Sequence, residues 1–159
     1  MAVRDAFTDE EWQSVGAAPF LVGLYLVGAS PRGPMGVLAE MLAAEKAVAL
    51  EAHQPDGLPI VKEIEADLEA QVLTRDFGVI DGAADEQARV LGELARALTL
   101  VEALAPGMDS AFRAWLFRVA EHVGRRAAEN APPGAGGRAG GRDEAAALQT
   151  LAAMLGVPR

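Results

Sequence analysis

Cysteine is absent from this chain of 159 residues, which excludes disulfides, thiolate metal ligands and cysteine nucleophiles together. Histidine is almost as scarce. His53 and His122 are the two present, and neither stands in an HxxxH or HxxE arrangement that would put two ligands on one helical face. His122 adjoins Glu121, but neighbouring helical residues point apart. Both histidines therefore read as structural, with His53 exposed beside a loop. Ser14, Ser30 and Ser110 are the serines, none of them in a G-x-S-x-G elbow. Positive charge is short as well: 14 Lys and Arg face 23 Asp and Glu, a formal net charge of −9. Nucleic-acid binding needs a basic footprint, so no nucleic-acid partner is expected. The opening MAVRDAFTDEEW lacks the apolar run of a signal peptide, and a cytoplasmic location is expected. No catalytic residue and no cofactor is expected either.

What is present is apolar and helix-forming. Apolar residues reach 51% while aromatics reach 5%, a balance that points to closely packed, alanine-rich helices and is too apolar for a disordered chain. The length sets a single helical domain, 1–159. The negative charge is uneven. Residues 1–80 hold 13 acids and 5 bases, whereas residues 81–159 hold 10 acids and 9 bases. The second half is therefore nearly neutral and rich in arginine.

The periodicity predicts an all-α bundle of about seven helices. Thr8 and Glu11 have capping-box spacing and open the first, which is expected to end near Gly16 because Pro19 suits the first turn of a new helix. That second helix, 19–30, is apolar on all sides. It sits within 20 consecutive uncharged residues, Trp12 to Pro31, but its prolines limit it to about 17 Å, short of the roughly 30 Å of a hydrocarbon core. A buried, central helix is the expectation, and membrane association is not expected. The third helix groups Val37, Leu38, Met41, Leu42 and Val48 at helical spacing. HQPDGLP ends it, with Pro55, Gly57 and Pro59 as breakers. A fourth helix from Pro59 to Arg75 carries Val61, Ile64, Leu68 and Val72. A fifth stops at Pro106-Gly107. The sixth turns Phe112, Trp115, Leu116, Val119 and Val123 inward. The last runs 143–156, capped by Asp143 and stopped by Gly156, and packs back on the bundle. No segment alternates as a strand does.

Three stretches invite a chemical reading. The fourth helix carries Glu63, Glu65, Asp67 and Glu69, whose i, i+4 pairs share faces. Such clusters hold a hard cation only when other segments add oxygens; Glu40, Glu63 and Asp67 are the candidate metal ligands. Asp76-Phe77-Gly78 matches the kinase metal-binding tripeptide, but the chain has no HRD segment and no glycine-rich nucleotide loop. AENAPPGAGGRAGGRDE, Ala128 to Glu144, holds five of the 17 glycines. It follows a helix rather than a strand, and Asp143 occupies the helix start that an anion would seek. Residues 130–142 therefore read as a flexible Gly/Pro-rich loop.

The C-terminal third, FRAWLFRVAEHVGRRAAENAPPGAGGRAGGRDEAAALQTLAAMLGV, resembles a family of small bacterial helical proteins that end on a glycine-rich loop and an E-x-x-x-L-x-x-(I/L)-A-x-x-L-G helix. DEEWQSVGAAPFLVGLYLVGASPRGPMGVLAEM resembles that family's start. More distantly, both halves are similar to the tellurite-resistance TerB-like helical domain, in which an A-x-A-D-G…E loop joins two helices. The resemblance implies a TerB-like fold and a metal role. Glu40 matches the later glutamate, while Ser30, Pro31 and Arg32 stand where an aspartate is expected. Ala135, Arg138 and Ala139 replace the phenylalanines of the family's loop. The leading expectation is a non-enzymatic interaction or scaffold protein, stress-related or a subunit of a larger assembly, with a protein partner or a second copy as its ligand. The alternatives are a cation-binding module using the clustered carboxylates and, third, an enzyme of unidentified type.

Overall fold

Thr8 and Glu11 close the capping box that their spacing predicts. In the computed structural model of the chain, the Thr8 N–H donates to Glu11 Oε1 at 2.8 Å and the Glu11 N–H donates to Thr8 Oγ1 at 3.1 Å. Phe7, just before the cap, packs on Trp12 with ring centroids 5.7 Å apart. That contact is a hydrophobic staple, which fixes how the chain enters the helix.

The structure describes residues 2–29, 33–73, 84–129 and 137–157. Among them are six α-helices: α1 Asp9–Ala29, α2 Gly33–Ala52, α3 Pro59–Glu69, α4 Ala84–Leu104, α5 Asp109–Glu129 and α6 Gly137–Leu155, with 3₁₀ turns at Val3–Ala6 and Pro106–Met108. No strand occurs among the described residues. Asp76–Gly78 lies outside them.

The all-α class holds, but the expected seven helices are six because the first two are one. α1 runs through Pro19 without a break. A proline inside a helix leaves the carbonyl four residues back, here that of Val15, without its helical donor, and costs about 3 kcal/mol. Burial outweighs that cost. Phe20, Leu21, Val22 and Leu24 are each 1% exposed or less, and full burial of one such side chain contributes about 1.5–3 kcal/mol. The apolar segment is central, as expected: α1 packs against α2, α4, α5 and α6. The length argument against a membrane span no longer applies, since α1 extends about 31 Å at 1.5 Å per residue. Its first turn carries Asp9, Glu10 and Glu11, and among the described residues no helix is long and apolar enough to cross a membrane.

The other helices close around α1. Phe112, Leu116 and Val123 of α5 are fully buried, and Trp115 and Val119 nearly so, as their spacing predicts. Arg113 ties three elements: it grips Asp109 at 3.0 Å, reaches the Met154 carbonyl of α6 at 3.3 Å, and pairs with Glu102 of α4 at 3.6 Å. α3 buries Ile60, Val61, Ile64 and Leu68, but it ends at Glu69 instead of reaching Arg75. Gln71 there adopts φ +61°. Its N–H donates to the Leu68 carbonyl, and the Val72 N–H donates to that of Asp67 at 2.8 Å. This is a Schellman stop with glutamine in the position glycine usually takes, so no glycine marks it in the sequence. Val72, grouped with the buried stripe by spacing, is consequently 40% exposed.

α6 shows the same stop with the usual residue: Gly156 has φ +68°, and Val157 N–H donates to the Ala152 carbonyl at 3.1 Å. Its start differs from expectation. The helix begins at Gly137, so the last part of the expected 130–142 loop is helical; residues 130–136 lie outside the described residues. Ala147, Leu151, Ala152 and Leu155 of α6 are buried.

Candidate functional site

Two further places among the described residues bring polar side chains of different elements together. The first is the acidic face of α3. Glu63 and Asp67 do share a face, and that face is turned toward the N-terminus. The Glu63 carboxylate accepts the N–H groups of Val3 at 2.9 Å and Arg4 at 3.0 Å, covering the free donors at the start of the first 3₁₀ turn. Asp67 Oδ2 accepts from Trp12 Nε1 at 2.8 Å and from Arg4 Nη1 at 2.9 Å. Trp12 is 1% exposed, so its indole N–H depends on this carboxylate for a partner. These two candidate ligands thus fasten the N-terminal segment and α1 to α3. Glu65 instead contacts His53, with 2.7 Å between Oε1 and Nε2; the His53 side chain is 72% exposed, as its place beside a loop predicts. Glu40 lies on α2, away in sequence from this face, and its side chain is outside the described set. Among the described residues no group of three or more His, Asp or Glu converges as a metal site would require.

The second place is a cleft of about 230 Å³ between the C-terminal half of α2 and the middle of α5. Ala47, Leu50 and Glu51 line it from α2, Gln54 from the turn beyond, and Trp115, Arg118, Val119, His122 and Arg125 from α5. On α5 the residues 118, 122 and 125 recur at i, i+4 and i+7, one face of the helix. Glu51 organises the α2 side. Its Oε2 accepts the Leu58 N–H at 3.0 Å and its Oε1 lies 3.4 Å from Arg118 Nη2. Gly57 completes that turn, because a Cβ there would come within 2.0 Å of the Glu51 carbonyl oxygen. The floor is apolar, with Trp115 2% and Val119 1% exposed. Its rim is cationic: Arg118 is 57% exposed, Arg125 is exposed, and Arg125 makes no ion pair with a described side chain.

A ridge on α2 leads into this cleft. Spacing groups Leu38 and Leu42 with the buried residues of the helix, yet they stand 53% and 57% exposed. Val48, by contrast, is buried at 1%. Leu38, Leu42, Lys46 and Leu50 follow at intervals of four, and all are exposed. Such rows form the ridges by which helices pack on one another. The sequence hides the cleft for a simple reason: no local motif joins residue 51 to residue 118. The one available signal is the i, i+4, i+7 spacing of Arg118, His122 and Arg125.

Among the described residues, fold and site define an all-helical arrangement with an exposed helix ridge running into a cleft rimmed by arginine. No family model, curated protein or solved structure matches the chain.

Proposed function

We propose that the protein is a non-enzymatic helical interaction module whose partner-binding surface is the α2–α5 face. The observation that carries this reading is the leucine ridge: Leu38, Leu42 and Leu50 are 53%, 57% and 48% exposed beside a cleft with an apolar floor. Apolar patches rimmed by polar side chains mark interaction sites on soluble proteins. The Glu63 and Asp67 carboxylates support the fold in this reading, since both are engaged by donors of the N-terminal segment and α1. A TerB-like relationship and a cytoplasmic location belong to the same proposal.

The test is retention of partners from extracts of the source cells by the whole chain, by Leu42→Asp and by Leu104→Asp. Leu104 is also exposed, at 36%, but lies at the end of α4. A partner held by the wild type and by Leu104→Asp, and lost with Leu42→Asp, is the expected result. A wild type that retains nothing, or a Leu42→Asp chain that retains the same partner equally, contradicts the proposal.

A further inference from the structure

We infer that the occupant of this face is an acidic amphipathic helix of a partner protein, laid across the α2 ridge with a carboxylate directed into the Arg118–Arg125 cleft. The inference rests on the interaction reading above and adds the chemistry of the ligand.

Shape argues for a helix. Leu38, Leu42, Lys46 and Leu50 form a row at intervals of four residues, and a row of this kind fits the groove of a second helix crossing at about 50°. Two of the three leucines, Leu38 and Leu42, lie beyond the cleft lining, so a ligand confined to the cleft would leave them in water. An incoming helix with apolar residues on one stripe covers them and reaches the cleft with the same face.

Charge argues for acid. Lys46 lies within the exposed ridge, and Arg118 and Arg125 line the α5 side of the cleft. Among the lining residues Glu51 is the carboxylate, and it is already held by the Leu58 N–H and by Arg118. Lys46 and Arg125 form no ion pair with a described side chain. The residues lining the cleft therefore carry one net positive charge, two arginines against Glu51, on a chain whose formal charge is −9. A carboxylate entering beside Arg118 and Arg125 gains charge-assisted hydrogen bonds above an apolar floor, where water competes least.

The opposition between local and total charge makes the test decisive. Two fluorescein-labelled peptides of about 18 residues, long enough for a helix to form on binding, share the same leucines at i, i+3, i+4 and i+7. One carries Glu at the remaining positions and the other Lys. Long-range attraction by the whole chain favours the Lys peptide, so only the local site selects Glu. Fluorescence anisotropy with the full chain is expected to show the Glu peptide binding at least about tenfold more tightly than the Lys peptide. Leu42→Asp should abolish that binding, and Arg125→Glu should remove the preference. Both positions are exposed, so both variants are expected to fold, and circular dichroism verifies this. Equal binding of the two peptides, preference for Lys, or Glu-peptide binding that survives Leu42→Asp overturns the inference. If the partner is still lost with Leu42→Asp in the retention assay, the interaction reading stands and the acidic helix alone falls. Self-association of the chain, seen by analytical ultracentrifugation and lost with Leu42→Asp, would likewise replace the acidic helix with a second copy.

Discussion

At the scale of single residues, two positions bear more than their neighbours. Asp67 is the first, its Oδ2 accepting from both Trp12 Nε1 and Arg4 Nη1. Removing it leaves a buried indole N–H without an acceptor, and an unsatisfied buried donor costs about 1–3 kcal/mol. Asp67→Ala should therefore lower stability in urea by about 2 kcal/mol or more, and in a Trp12→Phe background the same change should cost clearly less. Equal losses in the two backgrounds would show that the bond is not what couples them. Gly57 is the second. Its missing Cβ makes room for the Glu51 carbonyl, and forced contacts of this kind cost about 1–3 kcal/mol. Gly57→Ala is expected to destabilise within that range, by chemical denaturation, and to distort the α2 side of the cleft. Glycine at 57 was legible as a breaker from Pro55 and Pro59, but the atom it avoids was not, because that contact reaches back across the turn to α2.

At the scale of elements, helix starts were easier to read than helix stops. Thr8 and Glu11 announce α1 through bonds made within four residues, so spacing alone suffices. Thr8→Ala should cost about 1 kcal/mol, read as a lower midpoint in thermal unfolding. Pro19 misleads because its local preference for a helix start is overridden by burial of residues 18–24 against four other helices, which no window of sequence contains. The α3 stop misleads for the opposite reason: a left-handed residue is expected to be glycine, and here it is Gln71. Gln71→Gly should relieve the strain of that conformation and raise stability by about 0.5–1 kcal/mol. A loss on this substitution would mean that the glutamine side chain makes a compensating contact.

At the scale of the whole molecule, the all-α class and the central position of α1 follow from composition and from its apolar circumference. The exposed ridge does not, since Leu38 and Leu42 have the periodicity of core residues and differ from them in standing 53% and 57% exposed. That difference is measurable in stability. Leu21→Ala should cost about 2–5 kcal/mol, as for any fully buried leucine, whereas Leu42→Ala should stay within about 0.5 kcal/mol of wild type. The most direct measurement of the central claim is photo-crosslinking in the source cells, with p-benzoylphenylalanine placed at Leu42 or, as a control, at Gly92, where a side chain meets open space. The account predicts a discrete covalent adduct from position 42 and none from position 92. Adducts from position 92 alone, or from neither, would contradict it.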